Sequence, residues 1–312
     1  MRLSVLIPTY KRPEDLARCL EALSRQQRAA DEIVITVRDE DTVTRPTLAL
    51  WQRQLPLRVL EISRPGVVYA LNQGMEQCSG EIVSITDDDS APHPDWLRLI
   101  ERHFADDPKL GGLGGRDALM DDGHFLPPVT SEVGRLYFYG RMVGNHHLGL
   151  GPARVVQHLK GVNMSWRRAA IGKLRFDEGL RGKGAQVYFE LAFSLAIARA
   201  GWHLKYDPAV LVDHFPSKRY GNDQRGKIHL EAVEDTSYNY YWALLRYLPI
   251  GPRKWAALAW ERTLGTATRP GSLRMILMRI RGNAQVKDLY RTATRSRDAA
   301  KKKHQLTSQG RA

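Results

Sequence analysis

Apolar and polar residues follow two different periods along the first ninety residues of the chain. Four short apolar runs, rich in β-branched side chains, predict buried strands at residues 3–7, 32–37, 57–62 and 82–85. Three stretches between them have helical character, near residues 14–23, 46–54 and 66–79. Strands and helices that alternate at this spacing predict an α/β fold, with a mostly parallel sheet and right-handed crossovers.

Polar residues follow the predicted strands at their carboxyl ends, most notably the triplet Asp87–Asp89. Three adjacent carboxylates repel one another and resist joint ionisation unless a cation neutralises them. Oxygen ligands of this kind suit Mg²⁺ or Mn²⁺, and ligands of open α/β sheets bind beyond the carboxyl ends of the strands. The triplet therefore predicts a divalent metal site that holds the phosphates of a nucleotide. A solvated acidic turn, or a cap for a helix near Trp96, would also place acids here.

The middle of the chain gives weaker signals. Gly111–Gly115 lacks the spacing of a dinucleotide-binding or Walker loop, so we interpret it as a flexible entry to a strand. Residues 121–158 are rich in Gly, His and Pro and show little periodicity. The adjacent pair His146 and His147 is poorly arranged to bind one metal ion. We expect this loop to contact a substrate instead.

Two later stretches carry candidate chemistry. Lys160–Arg168 combines a glycine with short polar residues flanked by Met164 and Trp166, although an ordinary loop that caps the next helix has the same composition. Residues 187–199 are nearly continuously apolar and predict a buried helix in which Glu190 is the only acid. A carboxylate on an apolar helix is costly unless it is used or paired. The alternative is that Glu190 only stabilises the helix N-terminus.

Composition narrows the class of protein. Of the 312 residues, 43% are hydrophobic and 26% charged, as in soluble globular proteins. No apolar run reaches the roughly 18–20 residues that span a bilayer, and Met1 leads directly into a strand without the architecture of a signal peptide. Two cysteines, Cys19 and Cys78, make no disulfide framework. We therefore expect a cytoplasmic protein.

The net charge of +13 is concentrated at one end of the chain. Residues 251–312 contain fifteen Lys or Arg and three acids, so this tail carries +12 of the total. It also contains an apolar stripe flanked by arginines, made of Leu273, Ile276, Leu277 and Ile280. Helical spacing with flanking cations is typical of a helix that lies on an anionic membrane. The other interpretation is that the stripe packs on the rest of the protein.

Several motifs in chain order resemble those of family 2 glycosyltransferases with the GT-A fold. They cover residues 1–215 and are Pro8–Arg12, Asp39, Asp87–Asp89 in place of the DXD motif, Gly161–Arg168 and Val212–His214. The resemblance also brings two departures. The family's frequent arginine before Asn72 is Leu71 here, and its acidic pair falls on Phe189 and Glu190. A glutamate therefore replaces the aspartate that acts as catalytic base.

The resemblance implies a role for each matching residue. Glu190 would be the catalytic base, and Asn163 and Trp166 would contact the acceptor. Asp87, Asp89 and His214 would bind the metal. The donor nucleotide would be bound by a larger set, namely Pro8, Thr9, Tyr10, Arg12, Asp39, Asn72, Asp87 and Asp88.

By this resemblance the expected fold is a Rossmann-like, mostly parallel sheet flanked by helices. The catalytic domain is expected at 1–225, with a donor half at about 1–115 and an acceptor half at about 116–225. A basic helical extension follows at 226–312. The expected activity is inverting transfer of a sugar from a nucleotide-sugar to an acceptor hydroxyl with the help of Mg²⁺ or Mn²⁺.

The acceptor is expected to be a glycan, including a lipid-linked or cell-envelope one, with the enzyme peripheral on the inner face of the membrane. A nucleotidyltransferase would share the sheet and the acidic site, but it should carry a Gly-rich, Lys-containing signature near the first strand, which residues 3–12 lack. A nucleic-acid-binding protein would explain the basic tail but not the acidic strand end.

Overall fold

A computed structural model describes residues 1–182, 184–217 and 229–309. The first part alternates strands and helices as the sequence predicts. Its elements are β1 (Leu3–Thr9), α1 (Pro13–Ser24), β2 (Glu32–Arg38), α2 (Arg45–Trp51), β3 (Leu57–Ile62), α3 (Val67–Gln77), β4 (Ile82–Thr86), β5 (Ser90–Pro92) and α4 (Trp96–Asp106). Pro13 and the acids Glu14 and Asp15 lie in the first turn of α1, where proline and negative charge both favour helix initiation.

The central part of the chain completes the sheet. Its elements are β6 (Leu110–Asp121), β7 (His124–Phe125), β8 (Arg135–Leu136), β9 (Met142–Val143), the 3₁₀ turn His146–Leu148, β10 (Arg154–Val156), β11 (Asn163–Arg167), α5 (Arg168–Ile171), α6 (Phe189–Arg199) and β12 (His203–His214). Four helices follow, namely α7 (Leu230–Tyr247), α8 (Pro252–Thr263), α9 (Ser272–Ile280) and α10 (Val286–Gln309).

One ten-stranded sheet organises the molecule. Its main path runs in the order β10, β12, β6, β11, β4, β1, β2 and β3, with β5 paired to β12 and β7 to β6. The pairs among β1–β4 and between β6 and β12 are parallel, whereas β11 runs antiparallel to both of its neighbours. The carboxyl ends of β1, β4 and β12 and the start of β11 therefore meet at one edge, where ligands of such sheets bind.

Side chains that alternate along the strands build a core on each face of the sheet. Along β1, Val5 and Ile7 pack with α1 and α4 on one face, while Leu6 packs with α3 on the other. The second face also receives α6 and part of α7. Burial on both faces explains why the strand sequences are nearly continuous apolar runs.

The glycine run Gly111–Gly115 stands at the entry of strand β6, as expected, but it is packed into the sheet and is not a flexible segment. These glycines lie inside β6 and are buried. A Cβ at Gly112 would lie 2.6 Å from the Trp166 ring, and one at Gly115 would lie 1.7 Å from the carbonyl oxygen of Val210. Glycine is therefore required because neighbouring groups approach the strand backbone closely.

The C-terminal helices pack against the part of the chain that precedes residue 225. On α7, Tyr238, Tyr240 and Trp242 are each at most 1% exposed and belong to the same apolar core as α6. The last helix, α10, packs along α7 and contributes Ala300 to that core. This layer therefore shares a continuous core with residues before 225, and the domain boundary expected there stays a prediction.

Helix α9 differs from its neighbours because it is apolar yet contains no buried residue. Its apolar stripe stays in solvent, with Leu273, Ile276, Leu277 and Ile280 between 49% and 78% exposed. Packing of this stripe on the protein, the second interpretation of the tail, is therefore not what the structure has. None of the helices within the described ranges has the combined length and hydropathy of a bilayer-spanning segment.

Candidate active site

A cleft of about 500 Å³ opens at the carboxyl edge of the sheet. It is bordered by the ends of β1, β4 and β12, the loop before β11 and the first turn of α6. The cleft is lined, through polar groups or backbone, by six residues that the sequence predicts to act in the site. They are Thr9, Tyr10, Arg12, Asp87, Asp88 and His214. Pro8 and Glu190 also border this cleft, so most of the predicted site is brought together.

Asp88 is buried at the base of the cleft and held by two partners. Thr9 Oγ1 donates to its Oδ2 at 2.8 Å, and Arg12 Nη1 donates to its Oδ1 at 2.9 Å. Arg12 Nη1 also lies 3.5 Å from Oδ2 of Asp89. Burial raises the pKa of Asp88 to about 7, although Arg12 favours its ionised form. The side chain of Asp88 therefore ties the end of β1 to the acidic triplet.

Asp87, Asp89 and His214 form a cluster with the composition of a metal site. Each offers one ligand atom, and these atoms lie within 4.8 Å of one another. Oδ2 of Asp89 accepts the backbone N–H of Ser217, whereas its buried Oδ1 has no hydrogen-bond partner among the described residues. A buried carboxylate oxygen without a partner is costly, and a hard divalent cation would satisfy it. The residues therefore fit Mg²⁺ or Mn²⁺.

A buried carboxylate on β6 supports this cluster from behind. Nδ1 of His214 lies 3.4 Å from Oδ2 of Asp117, and the ammonium of Lys160 pairs with the same oxygen. Burial opposes ionisation of Asp117, but Lys160 and His214 outweigh it and hold its pKa at about 2. Asp117 therefore stays ionised and directs Nε2 of His214 toward Asp89, 3.6 Å away.

Glu190 lies in the first turn of α6, on the wall of the cleft. Its Oε1 accepts the backbone N–H of Gly161 at 3.3 Å. Burial raises its pKa to about 7, against the stabilising N–H groups of Gly161 and of Glu190 itself, and the charge of Asp87 raises it further. A carboxyl with this pKa near neutral pH is suited to accept a proton.

A second cavity of about 350 Å³ lies on the other side of Glu190. Glu190, Lys160 and Val187 line both cavities. The other residues around it come from the loop at 142–147, the segment 158–159, the start of α6 and α7, namely Met142, Gly144, Asn145, His146, His147, His158, Leu159, Tyr188, Leu191 and Thr236. Glu190 therefore stands between two adjoining cavities. The loop that contains His146 and His147 lines the second cavity, and the sequence predicts that this loop contacts a substrate.

Neither of the two residues expected to contact the acceptor borders the cleft. Trp166 is fully buried, with its ring edge-to-face on Phe193. Asn163 accepts the indole N–H of Trp96 at 2.9 Å and donates to two backbone carbonyls at 2.8 and 3.0 Å. These contacts fix the start of β11. We therefore assign neither Asn163 nor Trp166 to the acceptor.

Two expected donor contacts also lie outside the cleft lining. Asn72 is buried. Its side-chain N–H donates to the carbonyl of Phe176, and its side-chain oxygen accepts the N–H of the same residue. Asp39 is exposed after β2, where its Oδ1 accepts the N–H of Glu40. The carboxylate that contacts the β1 end is Asp41, which is fully buried and accepts the N–H of Lys11 at 2.6 Å.

Sequence patterns did not single out Asp117, Asp41 or Gln186. Gln186 stabilises the cleft wall by accepting the N–H of Val68 and donating to the carbonyl of Leu180. One signal was available for Asp117, because it is a carboxylate within a buried strand. Asp41 and Gln186 lie in polar loops, where nothing in the sequence separates them from their neighbours.

Residues 1–228 match the family model described as glycosyltransferase like family 2. The chain belongs to glycosyltransferase family 2. The match confirms the resemblance seen in the motifs. It favours this family over the nucleotidyltransferase and nucleic-acid-binding alternatives.

Curated relatives of this family 2 glycosyltransferase agree with that assignment. It is 32% identical over 204 residues to an uncharacterised glycosyltransferase, YibD, of Escherichia coli, a match that covers 64% of the chain and 58% of that protein. It is 35% identical over 125 residues to the amylovoran biosynthesis glycosyltransferase AmsE of Erwinia amylovora, covering 39% and 47%. The chain thus spans about half the length of these relatives.

Solved structures confirm the GT-A fold predicted for this family 2 glycosyltransferase. The mannosyltransferase PcManGT from Pyrobaculum calidifontis, in complex with GDP-Man and Mn²⁺, superposes with a TM-score of 0.60 and 18% identity, covering 97% of this chain and 86% of that one. TarS of S. aureus, in complex with UDP-GlcNAc, gives 0.59 and 16%, covering 83% and 71%. The mostly parallel sheet with flanking helices is therefore shared across distant sequences.

Proposed function

We propose that this chain is an inverting glycosyltransferase that moves a sugar from a nucleotide-sugar to an acceptor hydroxyl. The observation that carries the proposal is the position of Glu190. It borders the same cleft as Asp87 and His214 of the metal cluster and also borders the adjoining cavity. A base between a donor space and an acceptor space has the arrangement that direct displacement needs.

We assign the metal cluster to the donor diphosphate. Asp87, Asp89 and His214 would hold Mg²⁺ or Mn²⁺, and the ion would supply Lewis-acid stabilisation of the departing diphosphate. The unsatisfied Oδ1 of Asp89 supports this assignment. Likeness in fold to a protein solved with GDP-Man and Mn²⁺ is consistent with it.

The nucleotide is assigned to the part of the cleft lined by Pro8, Thr9, Tyr10 and Arg12. Arg12 is partly exposed there and carries a positive charge beside the acidic triplet, where it can meet a phosphate. Asp88 contributes by orienting Arg12 and Thr9, since both its oxygens are already engaged. Donor binding by Asp39 and Asn72 stays a prediction, because neither residue lines the cleft.

Glu190 is assigned as the general base. Its carboxylate takes the proton from the acceptor hydroxyl while the acceptor oxygen attacks the anomeric carbon. The bond between that carbon and the diphosphate breaks, and the nucleoside diphosphate leaves with the bonding electron pair. A single displacement of this kind inverts the anomeric configuration, and a positioned base contributes about 10²–10⁴-fold.

The acceptor is assigned to the second cavity. Asn145, His146, His147 and Tyr188 line it, and such side chains combine hydrogen-bonding groups with flat faces. Sugars bind well to surfaces that offer both. A glycan acceptor, including a lipid-linked one, is consistent with this lining.

The exposed stripe of α9 is assigned to an anionic membrane surface. Between Glu261 and Asp288 the sequence contains no acid, while Arg274, Arg279 and Arg281 lie in α9 or directly after it. Each cation near an anionic bilayer contributes on the order of 1 kcal/mol. Peripheral docking on the inner face of the membrane would bring the enzyme to a lipid-linked acceptor.

A donor screen tests the function directly. Thermal-shift measurements with UDP-GlcNAc, GDP-Man and other nucleotide-sugars should reveal a donor that raises the melting temperature more with Mn²⁺ than with EDTA. Product formed from that donor by wild type, and about 10²-fold more slowly by Glu190→Gln, would then establish transfer. Stabilisation by no nucleotide-sugar under either condition would contradict the proposal.

A further inference from the structure

A buried cluster of charges joins α8, the segment that follows it and α10. Arg269, in the segment between α8 and α9, donates to Oε1 of Glu261 at 3.2 Å. Arg297 of α10 donates to Oε2 of the same carboxylate at 3.1 Å. All three side chains are at most 4% exposed. Two cations share one carboxylate, so the cluster carries an excess positive charge inside the protein.

Aromatic residues next to α6 stabilise this excess positive charge. Arg269 Nη1 donates to the hydroxyl of Tyr188 at 2.6 Å, and its guanidinium lies 4.1 Å from the ring centroid of Tyr240. The rings of Tyr188 and Tyr240 pack edge-to-face with centroids 4.9 Å apart. The negative faces of aromatic rings stabilise a desolvated guanidinium, so this arrangement compensates the buried charge.

Tyr188 is also the residue at which the helix of Glu190 begins. It is the N-cap of α6, and Ala192 N–H donates to its carbonyl at 3.0 Å. Its φ of 70° is in the left-handed region, which is unfavourable for an aromatic residue. Such a conformation persists where surrounding contacts determine it, and these sites cluster near functional groups. The cap is therefore held in place by partners outside α6.

A second contact from the same layer holds the segment before the cap. Asn239 of α7 is fully buried and donates to the carbonyls of Arg181 and Val187 at 2.8 and 3.0 Å. Its Oδ1 accepts the N–H of Arg181 at 2.7 Å. Val187 and Tyr188 are adjacent, so the C-terminal helices hold both residues that lead into the first turn of α6.

We infer that Arg269 is a positioning residue, which fixes Tyr188 and through it places the Glu190 carboxyl between donor and acceptor. The inference rests on the proposed function and extends it to residues beyond the 228 that match the family model. A misplacement of about 1 Å in a reacting group can lower turnover by about 10²-fold. Through this one contact, the C-terminal part of the chain helps to position the base.

Two variants break this contact from its two sides. Tyr188→Phe removes only the hydroxyl, and Arg269→Met removes the surplus cation while leaving Glu261 paired with Arg297. Each should lower kcat about 10-fold or more and leave nucleotide affinity unchanged, because the interaction acts on the base and not on the donor. The double variant should be no slower than the slower single variant, because both remove one shared interaction.

Arg262 and Tyr241 provide a matched control within the same layer. Arg262 Nε donates to the Tyr241 hydroxyl at 2.9 Å, and its guanidinium lies 5.2 Å from that ring. Neither residue contacts the start of α6 among the described interactions. Both variants remove the hydrogen bond between Arg262 and Tyr241, and Arg262→Met also removes the ion pair with Asp298. Each should nevertheless keep kcat within about two-fold of wild type, because the lost contacts do not hold the start of α6.

Hydrogen exchange measures the same contact without substrate. Amides at 188–192 should exchange faster in Tyr188→Phe and Arg269→Met than in the control variants. Unchanged exchange together with unchanged kcat would overturn the inference. Loss of kcat in Tyr188→Phe alone would also overturn it and assign that hydroxyl to the acceptor. Absence of any transfer by wild type would reject the proposed function, while the exchange data would still decide on the positioning contact.

Discussion

Asp117 stands directly behind His214, with its Oδ2 3.4 Å from Nδ1 of the imidazole. The opposite nitrogen faces Asp89. A carboxylate on one ring nitrogen fixes the orientation of a histidine ligand and increases the basicity of the other nitrogen. The candidate metal site therefore includes a supporting residue, Asp117, behind the proposed ligand His214.

Asp117→Asn should weaken Mn²⁺ binding by about 10- to 100-fold, as for other residues that orient metal-bound histidines. Calorimetry with Mn²⁺ and a nucleoside diphosphate measures the effect. Asp107→Asn is a suitable control, because Asp107 also pairs with a histidine, His203 at 2.8 Å, and that histidine, unlike His214, does not line the cleft. Equal Mn²⁺ affinity in both variants would contradict a supporting role for Asp117.

Glu190→Gln should lower kcat by about 10²-fold or more and leave donor affinity unchanged, because a base acts only in the transition state. Glu190→Asp keeps a carboxylate on a shorter side chain and should retain partial activity. Melting temperatures of the same preparations separate loss of chemistry from loss of folding. Near-normal turnover by a folded Gln variant would assign the base to another residue.

The pH dependence of kcat should follow the ionisation of Glu190. Its pKa is raised to about 7, so the active carboxylate is scarce well below that pH and predominates above it. Turnover should therefore rise with pH through about 7 and level off above it. Residual activity in Glu190→Gln should lack this rise. A wild-type profile that is flat between pH 5 and 8 would exclude Glu190 as the titrating base.

Asn163→Ala should destabilise the protein and spare its chemistry. The change removes the hydrogen bonds that the Trp96 indole N–H and two backbone carbonyls make with Asn163, and a buried group left unpaired costs about 1–3 kcal/mol. Thermal unfolding and kcat per folded molecule should be measured together. A large rise in the KM of the acceptor at unchanged stability would restore Asn163 as an acceptor contact.

Leu277→Ser with Ile280→Ser should reduce binding to anionic vesicles. Both side chains are exposed, so the changes remove apolar surface without disturbing the core. The vesicle affinity measured by sedimentation with phosphatidylglycerol should fall by about 100-fold or more, because burial of two large side chains contributes about 1.5–3 kcal/mol each. Val43→Ser, at a residue 54% exposed elsewhere, serves as control. Equal sedimentation of all three proteins would exclude insertion of α9.

The sequence by itself determined the first four strands, the helices between them and the family. Apolar runs of strand length alternate with amphipathic helices in local order, and local order is what periodicity reports. The acidic triplet was visible because three carboxylates after a buried strand have few structural uses. Glu190 was visible as a single acid in an apolar helix. Both of these signals come from residues close together in the chain.

Only the tertiary structure decided which polar residues face the cleft. Asn163 and Trp166 belong to a family motif, yet the packing of β11 against its neighbours turns them into the core. Asp117 approaches His214 although 97 positions separate them, because β6 and β12 are adjacent parallel strands. The contact of Arg269 with Tyr188 likewise joins residues 81 positions apart. Such contacts depend on how elements pack, and no local pattern encodes them.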